Sequence, residues 1–303
     1  MTRQPATDGS RAEASAPLHL ARTEMGGSRW ELASREPCAA LRRHVRSLRG
    51  YDERAPGPRS RREFPEPWVV LIFEFGESLR VTLGSDARNA PRHPGGFAAG
   101  LGDAFATTAH EGRQRGIQVD LTPTGARRLF GLPLSEIAGR VVSLRDLLPA
   151  EIDTLACRLE ASRDWASRLD LVEALLARRI LGARVDTARV DFSLSRIEAA
   201  GGALDVGALA RELGHSRKHL VALFRDQVGI PPKLLARLVR FERAMRNARA
   251  SPEVRWAELA LAHGYFDQAH LARDVGRFTG LTPTEARESL SAQVTSVQDE
   301  PGD

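Results

Sequence analysis

Two stretches of the sequence carry basic and amide side chains at corresponding places. Arg217 and Lys218 lie in the first stretch, and Gln268 and Arg273 lie in the second. Arg and Lys side chains can hydrogen-bond the edge of guanine, and Gln can hydrogen-bond the edge of adenine. These residue types therefore indicate non-covalent recognition of base pairs in a DNA major groove.

The two stretches are copies of one small unit. The first copy runs from Leu209 to Phe224 and the second from Leu259 to Val275, and the turn of the second copy is one residue longer. His219-Leu220 in the first copy matches His270-Leu271 in the second. Because an internal repeat fixes the architecture of a chain, this region predicts two equivalent supersecondary units.

Each copy has the sequence pattern of a helix-turn-helix. A short helix ends at Gly214 or Gly264, since glycine readily adopts the left-handed conformation that ends helices. Ser216 or Asp267 then caps the next helix. That second helix has an apolar stripe at helical spacing, which predicts one buried face. The stripes consist of Leu220, Leu223, Phe224 and Val228 in the first copy and of Leu271, Val275 and Phe278 in the second.

The region from about 195 to 290 resembles the DNA-binding domain of the AraC/XylS-type transcription regulators. The motifs that carry the resemblance are Ser216-x-x-His-Leu220-x-x-x-Phe224, Gly229-Ile-Pro-Pro232, Arg240-x-x-x-Ala244, Gly264-Tyr265-x-Asp267-Gln268-Ala269-His270-Leu271-x-Arg273 and Gly280-Leu-Thr-Pro283. The resemblance implies two recognition helices, joined by a long helix, in successive major grooves on one face of DNA. The residues that it places at the DNA are Ser216, Arg217, Lys218, Val221, Ala222, Arg225, Asp267, Gln268, Ala269, His270 and Arg273.

Some positions depart from the family pattern. Asp274 and Val275 replace neutral and aromatic residues, and Val221 and Ala222 stand where many members have polar base-reading residues. These differences affect the sequence preference of the first unit rather than its fold.

The helix that links the two units is rich in arginine. We expect a few of these side chains to contact phosphate, which positions a protein on DNA without specifying sequence, and others to pair with Glu242 or face solvent. The arginines are Arg237, Arg240, Arg243, Arg246 and Arg249.

Composition sets broad limits on the protein. A length of 303 residues favours two domains, and a formal charge of +5 with a pI near 9.9 is compatible with a nucleic-acid partner. Lys218 and Lys233 are the only lysines, so the abundant arginine reflects a coding bias and is weak support for binding by itself. Cys38 and Cys157 form no disulfide framework or zinc spacing. No signal-peptide core or membrane-length apolar run occurs, and we expect a cytoplasmic protein without membrane contact.

The sequence of the N-terminal half predicts a small β-rich, barrel-like domain over residues 36–149, preceded by a disordered leader over residues 1–35. A short helix follows Pro37, a loop covers 51–66, and Trp68–Phe75 with Leu79–Leu83 forms a β-hairpin. Further strands are predicted at 97–101, 105–109 and 116–121. Thr122-Pro123 then begins a helix that ends at Gly131. The segment 116–149 also resembles, more loosely, the end of the sensor-like domain in one subgroup of these regulators.

Residues 150–190 predict a helical linker. The stripe Trp165, Leu169, Val172, Leu176 and Ile180 either packs on the β-rich domain or forms a dimer seam. The all-α DNA-binding domain covers 191–290, and 291–303 is a flexible tail. The predicted fold is thus α+β, with a β-rich domain, a helical linker and a double helix-turn-helix.

Residue patterns for catalysis do not occur. There is no phosphate-binding loop and no nucleophile elbow, and the cations Arg217 and Lys218 between His215 and His219 oppose a metal at that pair. We therefore predict no enzyme activity, no cofactor and no metal, and assign no cofactor-binding residues.

The functional hypothesis is a sequence-specific regulator with double-stranded DNA as partner. A small-molecule effector of the N-terminal domain, RNA polymerase and a second copy of the chain are further candidate partners. The alternative is a ligand-binding or enzymatic N-terminal domain for which the helical C-terminal region is only a scaffold.

Overall fold

The computed structural model describes residues 16–84 and 89–294, with the side chains of 291–294 left aside. In these residues the N-terminal part forms ten β-strands. They are β1 His19–Met25, β2 Ser28–Arg35, β3 Val45–Arg54, β4 Arg59–Glu63, β5 Val69–Glu74, β6 Arg80–Leu83, β7 Gly96–Ala99, β8 Ala106–His110, β9 Arg113–Leu121 and β10 Val141–Ser143.

The described strands form two antiparallel sheets. The larger has the order β1-β2-β3-β9-β5-β7-β10, and the smaller has the order β4-β8-β6. In the centre of the larger sheet β9 pairs with both β3 and β5, with Ile117 opposite Gly50 on one side and Phe73 on the other. A small apolar cluster of Ile72, Val81 and Phe97 packs elements of both sheets together.

The described helices follow and partly cover these sheets. They are α1 Pro123–Phe130, α2 Leu144–Leu147, α3 Ile152–Ala161, α4 Trp165–Gly182, α5 Ala188–Ala199, α6 Val206–Glu212, α7 Arg217–Gln227, α8 Pro232–Ala250, α9 Trp256–Ala262, α10 Gln268–Thr279 and α11 Pro283–Val294. None of them is long and apolar enough to cross a membrane. The predicted fold class, a β-rich domain followed by an all-α double helix-turn-helix region, is confirmed.

Local signals located the helices well. Thr122 accepts a hydrogen bond from Gly125 N at the start of α1, and Gly131 ends that helix with a φ of 71°. The predicted stripe of α4, from Trp165 to Ile180, is buried inside the chain. The packing alternative is therefore the one that the structure adopts, and this stripe is not a free dimer seam.

The prediction of a disordered leader over 1–35 is wrong for its second half. Residues 19–35 form the hairpin β1-β2, with Met25 paired to Ser28 across Gly26 and Gly27. Both glycines have positive φ, 58° and 75°, as the favoured two-residue hairpin turns require. The Gly-Gly pair was thus a local hairpin signal that the polar composition of this stretch obscured. Residues 1–15 lie outside the described residues.

The helix predicted after Pro37 and the loop predicted over 51–66 are also wrong. A turn leads to β3 at Val45, and β3 and β4 occupy most of the predicted loop. The stripe Leu41, Val45 and Leu48 is nevertheless fully buried. Apolar spacing identified the buried residues, whereas pairing with β2 and β9 decided the type of element.

The predicted hairpin of 68–75 with 79–83 does not form. β5 pairs with β7 and β9, whereas β6 pairs with β8 in the smaller sheet. The carboxylate of the buried Glu74 accepts the backbone N–H of Leu79, which fixes the crossing between sheets. Burial raises the pKa of Glu74 to about 7. At the other end of the chain, α11 continues to Val294, so the tail predicted from 291 begins within a helix, and 295–303 lie outside the described residues.

Gly50 allows α4 to pack on the larger sheet. A Cβ on Gly50 would lie 2.4 Å from the ring of Trp165, which is held by a hydrogen bond to Glu31 and an edge contact with Phe75. We expect Gly50→Ala to lower the free energy of unfolding by about 1–3 kcal/mol, because overpacking displaces the indole. Gly57→Ala is the control, since a Cβ there meets nothing within 4 Å, and it should change stability by less than about 1 kcal/mol. Equal effects in chemical denaturation would contradict this role of Gly50.

Candidate nucleic-acid interface

The first unit consists of α6 and α7 joined through Gly214. Gly214 has a φ of 68°, and the Ser216 hydroxyl accepts a hydrogen bond from His219 N at 3.2 Å. Leu220 and Phe224 are fully buried beneath α7. This packing holds α7 so that its first turn faces solvent.

The second unit repeats this geometry with α9 and α10. Gly264 has a φ of 70°, and the Asp267 carboxylate accepts a hydrogen bond from His270 N at 2.7 Å. Leu271 and Val275 are fully buried. Both caps predicted from the sequence are therefore present, each at the start of the helix proposed to recognise DNA.

The first turn of α7 is basic, although acidic side chains at this position would stabilise the helix. No acidic residue occupies its first turn, which instead carries Arg217 and Lys218. Cations at a helix N-terminus are disfavoured by about 0.3–1 kcal/mol each, because the helix dipole is positive there. Arg217 is 74% exposed and has only a loose pair with Asp205, at 3.7 Å. These charges are therefore poorly explained by folding and well suited to an anionic partner.

The structure brings most of the predicted DNA contacts to the outer faces of the two units. In α7 and its cap, Val221 is half-buried and the others are exposed; in α10 and its cap, His270 is half-buried and the others are exposed. The exposed residues are Ser216, Arg217, Lys218, Ala222, Arg225, Asp267, Gln268, Ala269 and Arg273.

His270 has a local structural role. Its Nδ1 accepts the Phe266 N–H at 3.4 Å, and its ring packs edge-on against Tyr265 at 5.2 Å between centroids. The imidazole therefore helps to close the turn before α10. In the first unit the rings of His215 and His219 lie 4.3 Å apart, and the described residues contain no cluster of three metal-ligating side chains.

Phe266 is a surface feature that sequence reasoning missed. It immediately precedes the cap of α10 and is 87% exposed. An exposed aromatic ring at this place can pack against apolar groups of a partner. The signal was available in the sequence, because the matching turn of the first copy has His215-Ser216 and no Phe or Tyr.

Asp274 is the second feature that the sequence did not assign. It is only 3% exposed, and its carboxylate lies 2.6 Å from Arg237 and 3.9 Å from Arg240 on α8. Arg240 also donates to the carbonyl of Gly264 and lies over the ring of Tyr265. Burial and the nearby Asp274 carboxylate raise the pKa of Tyr265. Asp274 thus attaches α10 to the linking helix.

The arginines of α8 differ in their surroundings. Arg237 and Arg240 are held by Asp274, Arg243 donates to the carbonyl of Glu198, and Arg246 pairs with Glu242 at 3.5 Å. Burial, with Arg243 and Arg246 nearby, lowers the pKa of His263. Most of these arginines therefore make intramolecular contacts that stabilise the domain. That a few of them also contact phosphate stays a prediction.

The N-terminal domain contacts the C-terminal ends of both recognition helices. At α7, Arg127 lies 3.5 Å from Asp226, and a Cβ on Gly229 would lie 2.8 Å from the carbonyl oxygen of Leu134. At α10, Arg277 donates twice to Asp103, at 3.1 and 2.5 Å. Arg62 also donates to the carbonyl of Thr279 at 2.9 Å. These contacts lie at the C-terminal ends of the two helices, whereas Arg217, Lys218 and Gln268 in their first turns are exposed.

Two family models match separate parts of the chain. A family described as "Helix-turn-helix domain" matches residues 209–289, and a "Domain of unknown function (DUF6597)" matches residues 33–143. No curated protein matches the chain.

Solved structures of low similarity also match. ToxT from Vibrio cholerae has 10% identity and a TM-score of 0.45, covering 77% of this chain and 98% of that chain. Unsaturated fatty acid bound wild-type ToxT from Vibrio cholerae strain SCE256 has 9% identity and a TM-score of 0.46, covering 80% and 96%. A likeness at this level supports no inference about the present protein.

The assignment therefore rests on the matched helix-turn-helix region and on the geometry of the two capped units that share α8. The C-terminal region, over residues 209–289, is an AraC-type helix-turn-helix domain.

Proposed function

We propose that the protein is a sequence-specific DNA-binding transcription regulator whose two recognition helices enter successive major grooves on one face of DNA. The observation that carries the proposal is the pairing of two capped helices, α7 and α10, with exposed basic or amide N-terminal ends and C-terminal ends that contact the N-terminal domain. A helix with this arrangement can present its first turns to base edges.

The individual contacts follow from side-chain chemistry. Arg217, Lys218 and Arg273 would donate to guanine or phosphate, and Gln268 would bond adenine. Val221, Ala222 and Ala269 would make apolar contacts, Arg225 would contact phosphate, and His270 would support the turn while lying close to DNA. Ser216 and Asp267 would hold the helix starts in position.

The proposal includes modulation by a small-molecule effector of the N-terminal domain. Its support is the set of contacts from that domain to the C-terminal ends of both recognition helices, through Arg127 at α7 and through Asp103 and Arg62 at α10. A ligand shifts DNA affinity only as far as it distinguishes two arrangements of these contacts. With DNA as its partner, we expect the protein to lie in the cytoplasm, and contact with RNA polymerase and homodimer formation stay predictions.

Selection of bound sequences from random duplex DNA at about 150 mM salt tests the proposal. The purified full chain should enrich a bipartite motif whose parts lie about one helical turn, roughly 34 Å, apart. Salt-sensitive binding without an enriched sequence would contradict specific recognition. It would favour the alternative, in which the N-terminal domain holds the function and the helical region is a scaffold.

Arg273→Ala should then weaken binding to the selected duplex by about 1–3 kcal/mol and relax the preference at one position of the motif. Binding to a scrambled duplex should change little. Arg163→Ala, which removes an exposed arginine between α3 and α4, is the matched control. A loss that is equal on both duplexes would mean that Arg273 contacts phosphate rather than a base.

Phe266→Ala should lower affinity for the selected duplex about fivefold, which corresponds to about 1 kcal/mol. The expected contact is apolar, between the aromatic ring and a thymine methyl group. Replacing the thymines of the motif by deoxyuridine should weaken wild-type binding at one position and leave Phe266→Ala unaffected there. Leu181→Ala, which removes another exposed apolar side chain, is the control and should leave affinity for the selected duplex unchanged. If deoxyuridine weakens binding of Phe266→Ala as much as binding of the wild type, the contact with thymine is excluded.

Asp274→Asn should lower the free energy of unfolding by about 3 kcal/mol, because it leaves Arg237 and Arg240 without their buried carboxylate. Asp153→Asn is the matched control, since its pair with Arg145 is exposed and should contribute less than about 1 kcal/mol. Denaturant unfolding of both variants measures the difference, and equal losses would show that Asp274 does not anchor α10.

A further inference from the structure

A cleft of about 640 Å³ lies between the two helix-turn-helix units. Its floor is α8, one wall is α10, and the opposite wall is the segment that leads into α6. Five cationic side chains and one carboxylate line it. They are Lys233, Arg237, Arg240, Arg273 and Arg277, with Asp274. We call this feature the inter-unit cleft.

The charges in the inter-unit cleft are unevenly neutralised. Asp274 is shared by Arg237 and Arg240, and Arg277 is paired with Asp103. Within the part of the chain that the structure describes, Lys233 and Arg273 have no carboxylate at ion-pair distance. Lys233 and Arg273 therefore add two uncompensated positive charges to the inter-unit cleft, whose other charged groups already leave a net positive charge.

Lys233 occupies a position where it does not stabilise the fold. It occupies the first turn of α8, directly after Pro232, and that turn contains no acidic residue. A cation there is disfavoured by the helix dipole. The side chain is exposed, so it gains little from packing. Lys233 and Lys218 are the only lysines in the sequence, and both lie in the first turn of a helix in the DNA-binding domain.

The position of the cleft determines which anion it can meet. Arg273 lies on its α10 wall and is also on the exposed face of that helix. The opposite wall flanks Asp205, which caps α6 and pairs with Arg217 at the start of α7. The cleft is thus bounded by the outward ends of both units. Two helices in successive major grooves straddle the sugar-phosphate backbone that separates those grooves.

We propose that the inter-unit cleft is a phosphate-binding site for the DNA backbone between the two half-motifs, with Lys233 as its ligand. This inference rests on the proposed function. The fixed guanidinium groups of Arg237 and Arg240 add positive potential from the floor. The contact carries no sequence information and sets the register of both helices on the duplex.

Lys233→Ala tests the site with the full chain and the selected duplex. Affinity should fall about five- to tenfold on selected and scrambled duplexes alike, the enriched motif should stay the same, and the slope of log K against log salt should become shallower by about 0.9. Stability should be unchanged or slightly higher, so that misfolding cannot account for the loss. Arg163→Ala removes one exposed cation between α3 and α4, outside the DNA-binding domain, and should have a much smaller effect.

Neutral methylphosphonates between the half-motifs provide the complementary probe. They should weaken the wild type and leave Lys233→Ala unaffected, whereas inorganic phosphate should compete no better than sulfate at equal ionic strength. Equal behaviour of Lys233→Ala and Arg163→Ala, or insensitivity of the wild type to the methylphosphonates, would overturn the site while leaving the proposed function intact. Specific competition by inorganic phosphate would indicate a free anion as ligand and would also overturn it. A wild type that enriches no bipartite motif would overturn the proposed function and this inference together.

Discussion

The attachment of α10 to α8 through Asp274 is the interaction on which the DNA-binding geometry depends. A nearly buried carboxylate is costly unless its partners are well placed. Arg237 provides a 2.6 Å contact, and Arg240 ties the same carboxylate to the turn before α10 through the carbonyl of Gly264. An apolar residue at 274 could fill the space, but it could not fix the angle of α10 against α8. The charged group therefore defines orientation more than it adds stability.

The linking helix extends this constraint to the first unit. α8 is one helix of 19 residues, and Leu235, Leu238 and Phe241 are buried along it. Because an uninterrupted helix with a packed face bends little, the separation of the two units is set by its length and by side chains packed at both ends. Phe241 also contacts Phe64 of the N-terminal domain. The same helix therefore connects both recognition helices to the β-rich domain.

The sequence predicted the parts of the site that depend on local interactions. Caps, helix-ending glycines and apolar stripes are each decided within a few residues, and Ser216, Gly264 and Leu271 all lie where the pattern placed them. Strand pairing is decided across long separations, which explains why 68–75 and 79–83 were joined as a hairpin although β5 pairs with β9. Asp274 escaped assignment for the same reason, since its partners lie on another helix.

Two ion pairs of unequal strength hold α10 in place, one to α8 and one to the N-terminal domain. The Asp274 carboxylate is 5% exposed, whereas the pair that joins Arg277 to Asp103 is 56% and 39% exposed. Exposed pairs contribute roughly 0–1 kcal/mol, so the pair of Arg277 with Asp103 holds α10 more weakly than Asp274 does. A rearrangement of the β-rich domain can therefore release Arg277 without disturbing the recognition geometry. Since Arg277 also lines the inter-unit cleft, its release would raise the positive potential at the DNA backbone while the two reading helices keep their spacing.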